Sequence, residues 1–448
     1  MNVDALLKQD TKKLIRAFII PTIIAQIIFA ISRTSEKVFL GTQLGDKAIA
    51  AVSVTFPLFT FIIAFSMLIR VGAGTQISLA LGKKDINYAE KVLGNAITLL
   101  TIFSITIISF CLPFLDEILI RIGANEEILP MSSLYMKITL IGLVVNFYVF
   151  GIGYIIRSEG NPSKGMWLIV IGAIVNIILS FIFIKKLDLG ILGAALAPVI
   201  GNSVSVILII YHLFKDKKRN ISLKISNLYL NKSIVLKITS VGISAFIMMA
   251  GTSIIGITAN IILMSKGGVL YVGALGSMNF TLLFIQIIIT GLCYGFQPLF
   301  GYSFGNENYK RLRVYLKKAI IIASLFCILA FVFILGFSKN LAGLFSKQNI
   351  NFIDTSIPLM LLFFMSLPVL GFNMLGSYFF QSIGNVKKAV FLSLIDKGLI
   401  LLGFYIIPNL IGIKGIFLSF SVSQFILFFI LLFLLKKQNR LINNKIIA

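Results

Sequence analysis

Hydrophobic residues in this chain come in long unbroken runs, not in the alternating or 3.6-residue patterns by which water-soluble strands and helices hide one face. Runs long enough to cross a roughly 30 Å hydrocarbon layer, which takes about 20 helical residues, fall at 14–40, 48–73, 92–115, 131–157, 163–184, 190–214, 237–265, 270–300, 314–337, 355–381, 386–408 and 412–435. The pattern predicts twelve membrane-spanning helices, six per half. Barrel strands would read as alternating segments of roughly ten residues, and a backbone exposed to lipid must satisfy its own hydrogen bonds, which leaves helices. The composition agrees, because 58% hydrophobic and 12% charged residues lie far outside the soluble range. The connecting segments are too short to hold a soluble domain, so a scaffold or receptor role has no support in the loops.

The polar breaks between the runs repeat. SEGNPSK at 158–164 returns as SIGNVKK at 382–388, an offset of 224 for the glycines (384 − 160) and for the asparagines (385 − 161). GILG at 190–193 returns as GIKG at 412–415, and Gly82 before one polar stretch returns as Gly305 before another. Repetition at half the chain length implies an internal duplication. Six is an even number, so both halves enter the membrane from the same side. The fold class that follows is an all-α polytopic membrane protein of two parallel six-helix bundles, related by a pseudo-two-fold axis along the membrane normal. The expected boundaries are 1–214 for the N-terminal bundle, 215–236 for a basic linker and 237–448 for the C-terminal bundle. Leucines and isoleucines among the lysines of the linker suit a segment lying on an anionic leaflet; a solvated basic loop is the alternative.

The net charge of +24 is sorted by loop rather than gathered for nucleic acid. Of the 40 Lys and Arg residues, 27 lie in the termini and even-numbered connections, 8 in the odd-numbered ones and 5 within spans. By the positive-inside rule both termini are cytoplasmic. The opening MNVDALLKQDTKKLIRAF carries acids and no small-residue cleavage site, so the first helix is expected to remain in the protein. Cys111, Cys293 and Cys327 sit in spans without metal-ligand spacing, and His212 is the single histidine. No cofactor, metal or enzymatic activity is expected from such a set. Pro21, Pro57, Pro198, Pro298 and Pro368 predict kinked helices, with Pro21 as a candidate hinge.

Six motifs then stand in order along the chain: FLGTQLGDKAIAAVSVTFPL (39–58), VGAGTQISLALGKKD (71–85), RSEGNPSKGM (157–166), NIIL (176–179), GILGAALA (190–197) and GLCYGFQPLFGYSFGNENYKR (291–311). Together they resemble the bacterial branch of the multidrug and toxic compound extrusion (MATE) transporters. The resemblance implies a secondary-active antiporter of a bacterial plasma membrane, expelling lipophilic organic cations in exchange for protons or sodium by alternating access. It implies small amphiphilic molecules and membrane lipid as partners, no nucleic acid, and a monomer.

Such a transporter needs an intramembrane group that changes charge or binds a cation, and ionisable residues at that depth are rarely incidental. Of the sixteen acidic residues, only Glu36 and Asp396 fall within spans. Glu36 precedes Gly41 by five residues, which places it about 7 Å from the outer end at ~1.5 Å per residue. The resemblance puts Glu36 at the family's helix-one acid and Asn176, Ser180 and Pro198 at the other positions of its ion site. Glu36, Asn176 and Ser180 are therefore the candidate ion-coupling residues. Arg33, one turn back, leaves a structural ion pair open. Asp396 adjoins Lys397, and neighbours on a helix point about 100° apart, so each is expected to need a partner elsewhere. Asp396, Asn260, Tyr294, Gln26 and Asn373 are the candidate substrate-cavity residues. Arg70 and Lys137 lie near span ends and are expected to snorkel to the interface. Arg33, Lys37, Arg70 and Lys397 outnumber the two acids, which keeps an alternative open: a flippase or exporter of a lipid-linked saccharide or another anionic amphiphile.

Overall fold

The computed structural model describes residues 3–215, 219–343 and 350–447. After a short N-terminal helix, Val3–Lys8, ten uninterrupted apolar helices and two bent ones account for twelve spans. In chain order they are α1 (Thr11–Gly45), α2 (Lys47–Gly82), α3 (Ile86–Cys111), bent α4 (Leu129–Ile141 and Leu143–Ser158), α5 (Pro162–Lys186) and α6 (Gly190–Lys215). The second half continues with α7 (Lys232–Gly268), α8 (Leu270–Gly305), α9 (Tyr309–Gly343), bent α10 (Ile350–Phe364 and Leu367–Ser382), α11 (Val386–Ile411) and α12 (Lys414–Asn444). No strand occurs among the described residues.

The duplication is written in the backbone. α1 and α2 meet at Gly45 (φ 72°, ψ −164°), and α7 and α8 meet at Gly268 (φ 68°, ψ −165°). This conformation is essentially closed to any residue with a Cβ, so glycine alone lets two long helices abut without a loop. Other left-handed positions pair in the same way: Lys84 with Glu307, Gly160 with Gly384, and Gly190 with Gly412. The two bends pair as well, 53° in α4 and 41° in α10. Pro368 stands beside the α10 bend, whereas the α4 bend lies at Gly142, which the proline pattern did not single out. Pro21 sits inside a continuous α1, where Thr22 Oγ1 donates to the Phe18 carbonyl at 2.5 Å.

Helix one is longer than its apolar run. Because α1 continues to Gly45 rather than ending near position 40, Glu36 lies nine residues, or about 14 Å at ~1.5 Å per residue, from the break. The expected depth of about 7 Å is corrected accordingly.

The halves meet chiefly through α1 and α2 against α7 and α8, and glycines permit the approach. A Cβ on Gly242 would overlap the carbonyl of Leu68, and one on Gly72 the carbonyl of Ile238. Gly291 and Gly295 lie against the backbone of Ile23 and Ile19, and Gly305 against Leu79 and Gly82. All of these positions belong to the parts of the four helices nearest the Lys- and Arg-rich face. On that same face the N-terminal helix ties the halves together. Lys84 Nζ reaches Asp4 at 2.9 Å and holds its carboxyl below the usual carboxylate range, while Arg311 donates to the carbonyls of Leu7 and Gln9.

The linker neither floats free nor lies wholly on lipid. Its described part is laid along α3: Asn95 donates to the carbonyls of Asn227 and Tyr229 and accepts from the Asn231 backbone N–H, Thr98 donates to the Leu228 carbonyl at 2.7 Å, and Lys224 pairs with Glu90 at 2.6 Å. Gly94 makes room, since a Cβ there would strike Asn227. Ile225 and Tyr229 remain outward and exposed.

Filling the closest approach should cost stability. Gly242→Ala should destabilise the detergent-solubilised protein by about 1–3 kcal/mol, the usual range for overpacking. Gly256→Ala, on the same helix with nothing in reach of its Cβ, should leave the melting temperature unchanged. Equal melting temperatures for the two variants would contradict this packing.

Candidate functional site

Among the described residues three polar assemblies stand out inside the apolar bundle, one in each half and one between them. In the N-terminal half Glu36 is 3% exposed. Tyr135 of α4 donates its hydroxyl to Glu36 Oε1 at 2.7 Å, and Arg33 Nη1 stands 3.7 Å from Oε2. An apolar plug of Leu40, Ala48, Tyr135, Ile184, Ala194 and Ala195 packs next to it. Ser32 precedes Glu36 by four residues and so shares its helix face. Ser32 Oγ accepts from Asn176 Nδ2 at 2.8 Å, and Ser180 Oγ donates to Asn176 Oδ1 at 3.2 Å. Gly201 lets α6 press against Asn176, and α5 turns to a π-helix directly after Ser180, a distortion common at functional sites. A small cavity opens here, lined among others by Phe29, Ser32, Arg33, Asn176, Pro198 and Asn202. Arg33 also lies over the rings of Phe29 and Phe59, contacts that help to hold a cation away from water.

In the C-terminal half Lys397 Nζ pairs with Asp396 Oδ2 at 2.9 Å. The expectation that these neighbours point apart and pair elsewhere is thus corrected. The roughly 100° between their Cβ directions is bridged by the long lysine stem, which folds over Gly251 of α7 where no side chain intervenes. Gln424 of α12 donates to Asp396 Oδ1 at 2.7 Å, and Asn373 of α10 donates to Gln424 Oε1 at 3.0 Å. Asp396 and Asn373 therefore belong to one network through a residue, Gln424, that the apolar pattern did not mark.

The third assembly sits where the halves meet. Arg70 of α2 donates to the hydroxyl of Tyr294 on α8 at 2.9 Å, so it turns inward and does not snorkel. Arg157 of α4 is 3% exposed. Both guanidinium groups lie over the rings of Tyr154 and Tyr294, Arg70 at 5.6 and 5.4 Å and Arg157 at 5.0 and 5.4 Å. Tyr378 packs edge-on against Tyr294. The Tyr154 hydroxyl donates to Gln297 Oε1, Gln297 Nε2 to Gln381 Oε1 at 2.8 Å, and Gln381 Nε2 to Ser244 Oγ at 2.8 Å. Five helices from both halves are joined in this way.

Of the sequence-derived candidates, Asn176 lines the N-terminal cavity and bonds to Ser180 and to Ser32, one turn from Glu36 on α1, while Asp396 and Asn373 are joined through Gln424 in the other half. Tyr294 stands apart from both, in the central cluster. Gln26 is half-buried on α1 and Asn260 exposed on α7. Lys137 pairs with Asp116 at 3.7 Å and is exposed, as its place near a span end suggested. Missed altogether were Ser32, Tyr135, Arg157, Tyr154, Gln297 and Gln424. For some of these a signal existed: Arg70 and Tyr294 are 224 positions apart, as are Tyr154 and Tyr378 (378 − 154) and Arg157 and Gln381 (381 − 157).

The family model MatE matches residues 21–182 and 244–406, one match in each half. Multidrug export protein MepA of Staphylococcus aureus (strain MSSA476) is 26% identical over 418 residues, covering 93% of this chain and 92% of that protein. MepA of Staphylococcus haemolyticus (strain JCSC1435) is 27% identical over 435 residues, 96% of this chain and 94% of that one. A solved outward-facing multidrug resistance MATE transporter superposes with a TM-score of 0.92 at 24% identity, 98% of each chain being covered. The same TM-score, identity and coverage hold for a MOP superfamily transporter from Pyrococcus furiosus described as having a binding pocket of reverse polarity that suggests a different function. With one family match in each six-helix half and relatives aligned along nearly its whole length, the chain belongs to the MatE family of membrane transporters.

Proposed function

We propose that this protein is a secondary-active exporter of small amphiphilic molecules, in which binding of a proton at Glu36 drives the halves between two arrangements. The observation that carries the reading is the Glu36 assembly. A buried carboxylate accepts from the Tyr135 hydroxyl and faces the Arg33 guanidinium, which in turn lines a small cavity. Protonation removes the charge that attracts Arg33, so a single proton exchanges one set of contacts for another. Sodium fits less well, because a hard cation needs several oxygen ligands, whereas Arg33 already stands 3.7 Å from the carboxylate and the Asn176 oxygen already accepts from Ser180.

The membrane proposed is a bacterial plasma membrane, with both termini in the cytoplasm, an orientation that the lysine and arginine count supports. The close contact of the halves on the basic side then corresponds to an arrangement closed to the cytoplasm. Lipophilic organic cations are the substrate class that accompanies multidrug export in the first reading. A second reading, an anionic amphiphile, is favoured by one specific observation. The charged pairs Glu36–Arg33 and Asp396–Lys397 are each neutral overall, and among the described residues Arg70 and Arg157 are the charge where the halves meet.

In proteoliposomes, Glu36→Gln should abolish export driven by an imposed pH gradient, while an imposed sodium gradient should drive neither the variant nor the wild type. Export per folded molecule that survives in Glu36→Gln would show the pair with Arg33 to be structural only. In the other half, Lys397→Ala should destabilise the protein by about 1–3 kcal/mol, because it leaves a half-buried carboxylate without its cation. The double variant Asp396→Asn, Lys397→Gln should recover most of that loss in a thermal unfolding assay. A single variant as stable as the wild type would remove the Asp396–Lys397 pair from the account.

A further inference from the structure

We propose that Arg70 and Arg157 form an oxyanion site between the halves, which takes the carboxylate or phosphate group of an amphiphile from the cytoplasmic side and favours closure once it is filled. The inference deepens the second substrate reading above and rests on the protein being a transporter.

Arg157 carries the argument. It is 3% exposed, and among the described residues its Nε and Nη1 have no hydrogen-bond partner. A guanidinium can be buried at tolerable cost only when its charge and its donors are met. Cation–π contacts offset part of that cost, yet here two guanidinium groups share the same two tyrosine rings. No carboxylate among the described residues pairs with either arginine. The nearest in sequence, Glu159, is turned away to His212 at 3.0 Å and Arg219 at 3.5 Å. An oxyanion is the chemistry that answers both deficits, because the planar fork of arginine donors matches its paired oxygens.

The surroundings argue for the organic part of the ligand. Tyr154, Tyr294 and Tyr378 make an aromatic wall with edge-to-face contacts at 5.6 and 5.9 Å, suited to a flat apolar body. The site is also asymmetric in a telling way. The pseudo-symmetry mates of Arg70 and Arg157, each 224 positions on, are Tyr294 and Gln381, so both charges come from the N-terminal half and the C-terminal half supplies neutral donors. Arg70 lies two residues from Gly72, where the halves touch, so the cluster is enclosed as long as the basic side is closed. Parting the halves there exposes it to the cytoplasm, and closing them over an anion restores a paired, buried charge.

The test is equilibrium binding to the full-length protein in detergent, read by calorimetry and by the shift in melting temperature, with phenyl phosphate, inorganic phosphate and phenyltrimethylammonium as probes. Phenyl phosphate should bind the wild type and raise its melting temperature, as any ligand selective for the native state does. Arg157→Gln and Arg70→Gln should each weaken binding by about tenfold or more, the scale of losing one partner of a buried charged contact, and Arg157→Lys should retain part of it. Equal binding of inorganic phosphate would support the oxyanion site and identify the free ion as its occupant; preference for phenyl phosphate would identify an amphiphile. The proposal is overturned if the wild type prefers phenyltrimethylammonium, or if neither phosphate binds it, or if the arginine variants bind phenyl phosphate as the wild type does. The wild-type arms stand even where a variant fails to fold. No ion gradient is involved, and Glu36→Gln should bind the probe normally, so failure here and failure of proton coupling are separate results.

Discussion

A charge inside a membrane protein must be matched, and the organisation of this molecule follows from how each one is. Unpaired ions are costly at that depth, so the long apolar helices carry few of them and fold so that most find partners. Glu36 is matched by Arg33 and Tyr135, and Asp396 by Lys397 and Gln424. The bundles supply the geometry through glycine: Gly251 clears the path of the Lys397 stem, and Gly201 lets α6 close on Asn176. Arg70 and Arg157 are the departure, matched by rings rather than by acids, and they lie where the two halves would have to separate.

The internal duplication explains which features are shared and which are not. Breaks and bends recur at a nearly constant offset because they depend on backbone: Gly45 and Gly268 occupy one glycine conformation, and α4 and α10 bend at corresponding places. Side chains at corresponding positions have diverged. At the axis the N-terminal half offers arginine where the C-terminal half offers tyrosine and glutamine. A duplicated frame can therefore move as two similar bodies while presenting a lopsided charge between them.

Much of the frame was legible in the amino-acid sequence, because apolar length and the repeat offset are direct physical requirements of spanning a membrane twice over. The depth of Glu36 was misread, since α1 outlasts its apolar run and ends only at Gly45. The Asp396–Lys397 pair was misread because Cβ directions say little about a four-carbon stem with open space beside it. Arg70 looked like an interfacial residue from its distance to the span end, and only the packing of α8 against α2 shows it turned toward Tyr294. Glu36 was found because an acid stands out on an apolar helix, and Asn176 and Ser180 were found through the resemblance to the transporter family. Tyr135 and Tyr154 were not, since a tyrosine in an aromatic-rich span gives no such contrast.

The central claim is that the protonation state of Glu36 governs which face of the molecule is closed. Spin labels at positions 83 and 306, at the basic ends of α2 and α8, would report that closure as a distance distribution. The account predicts a distribution that shifts between populations as pH is lowered in the wild type and stays fixed in Glu36→Gln. The same pH-dependent shift in both proteins would contradict it.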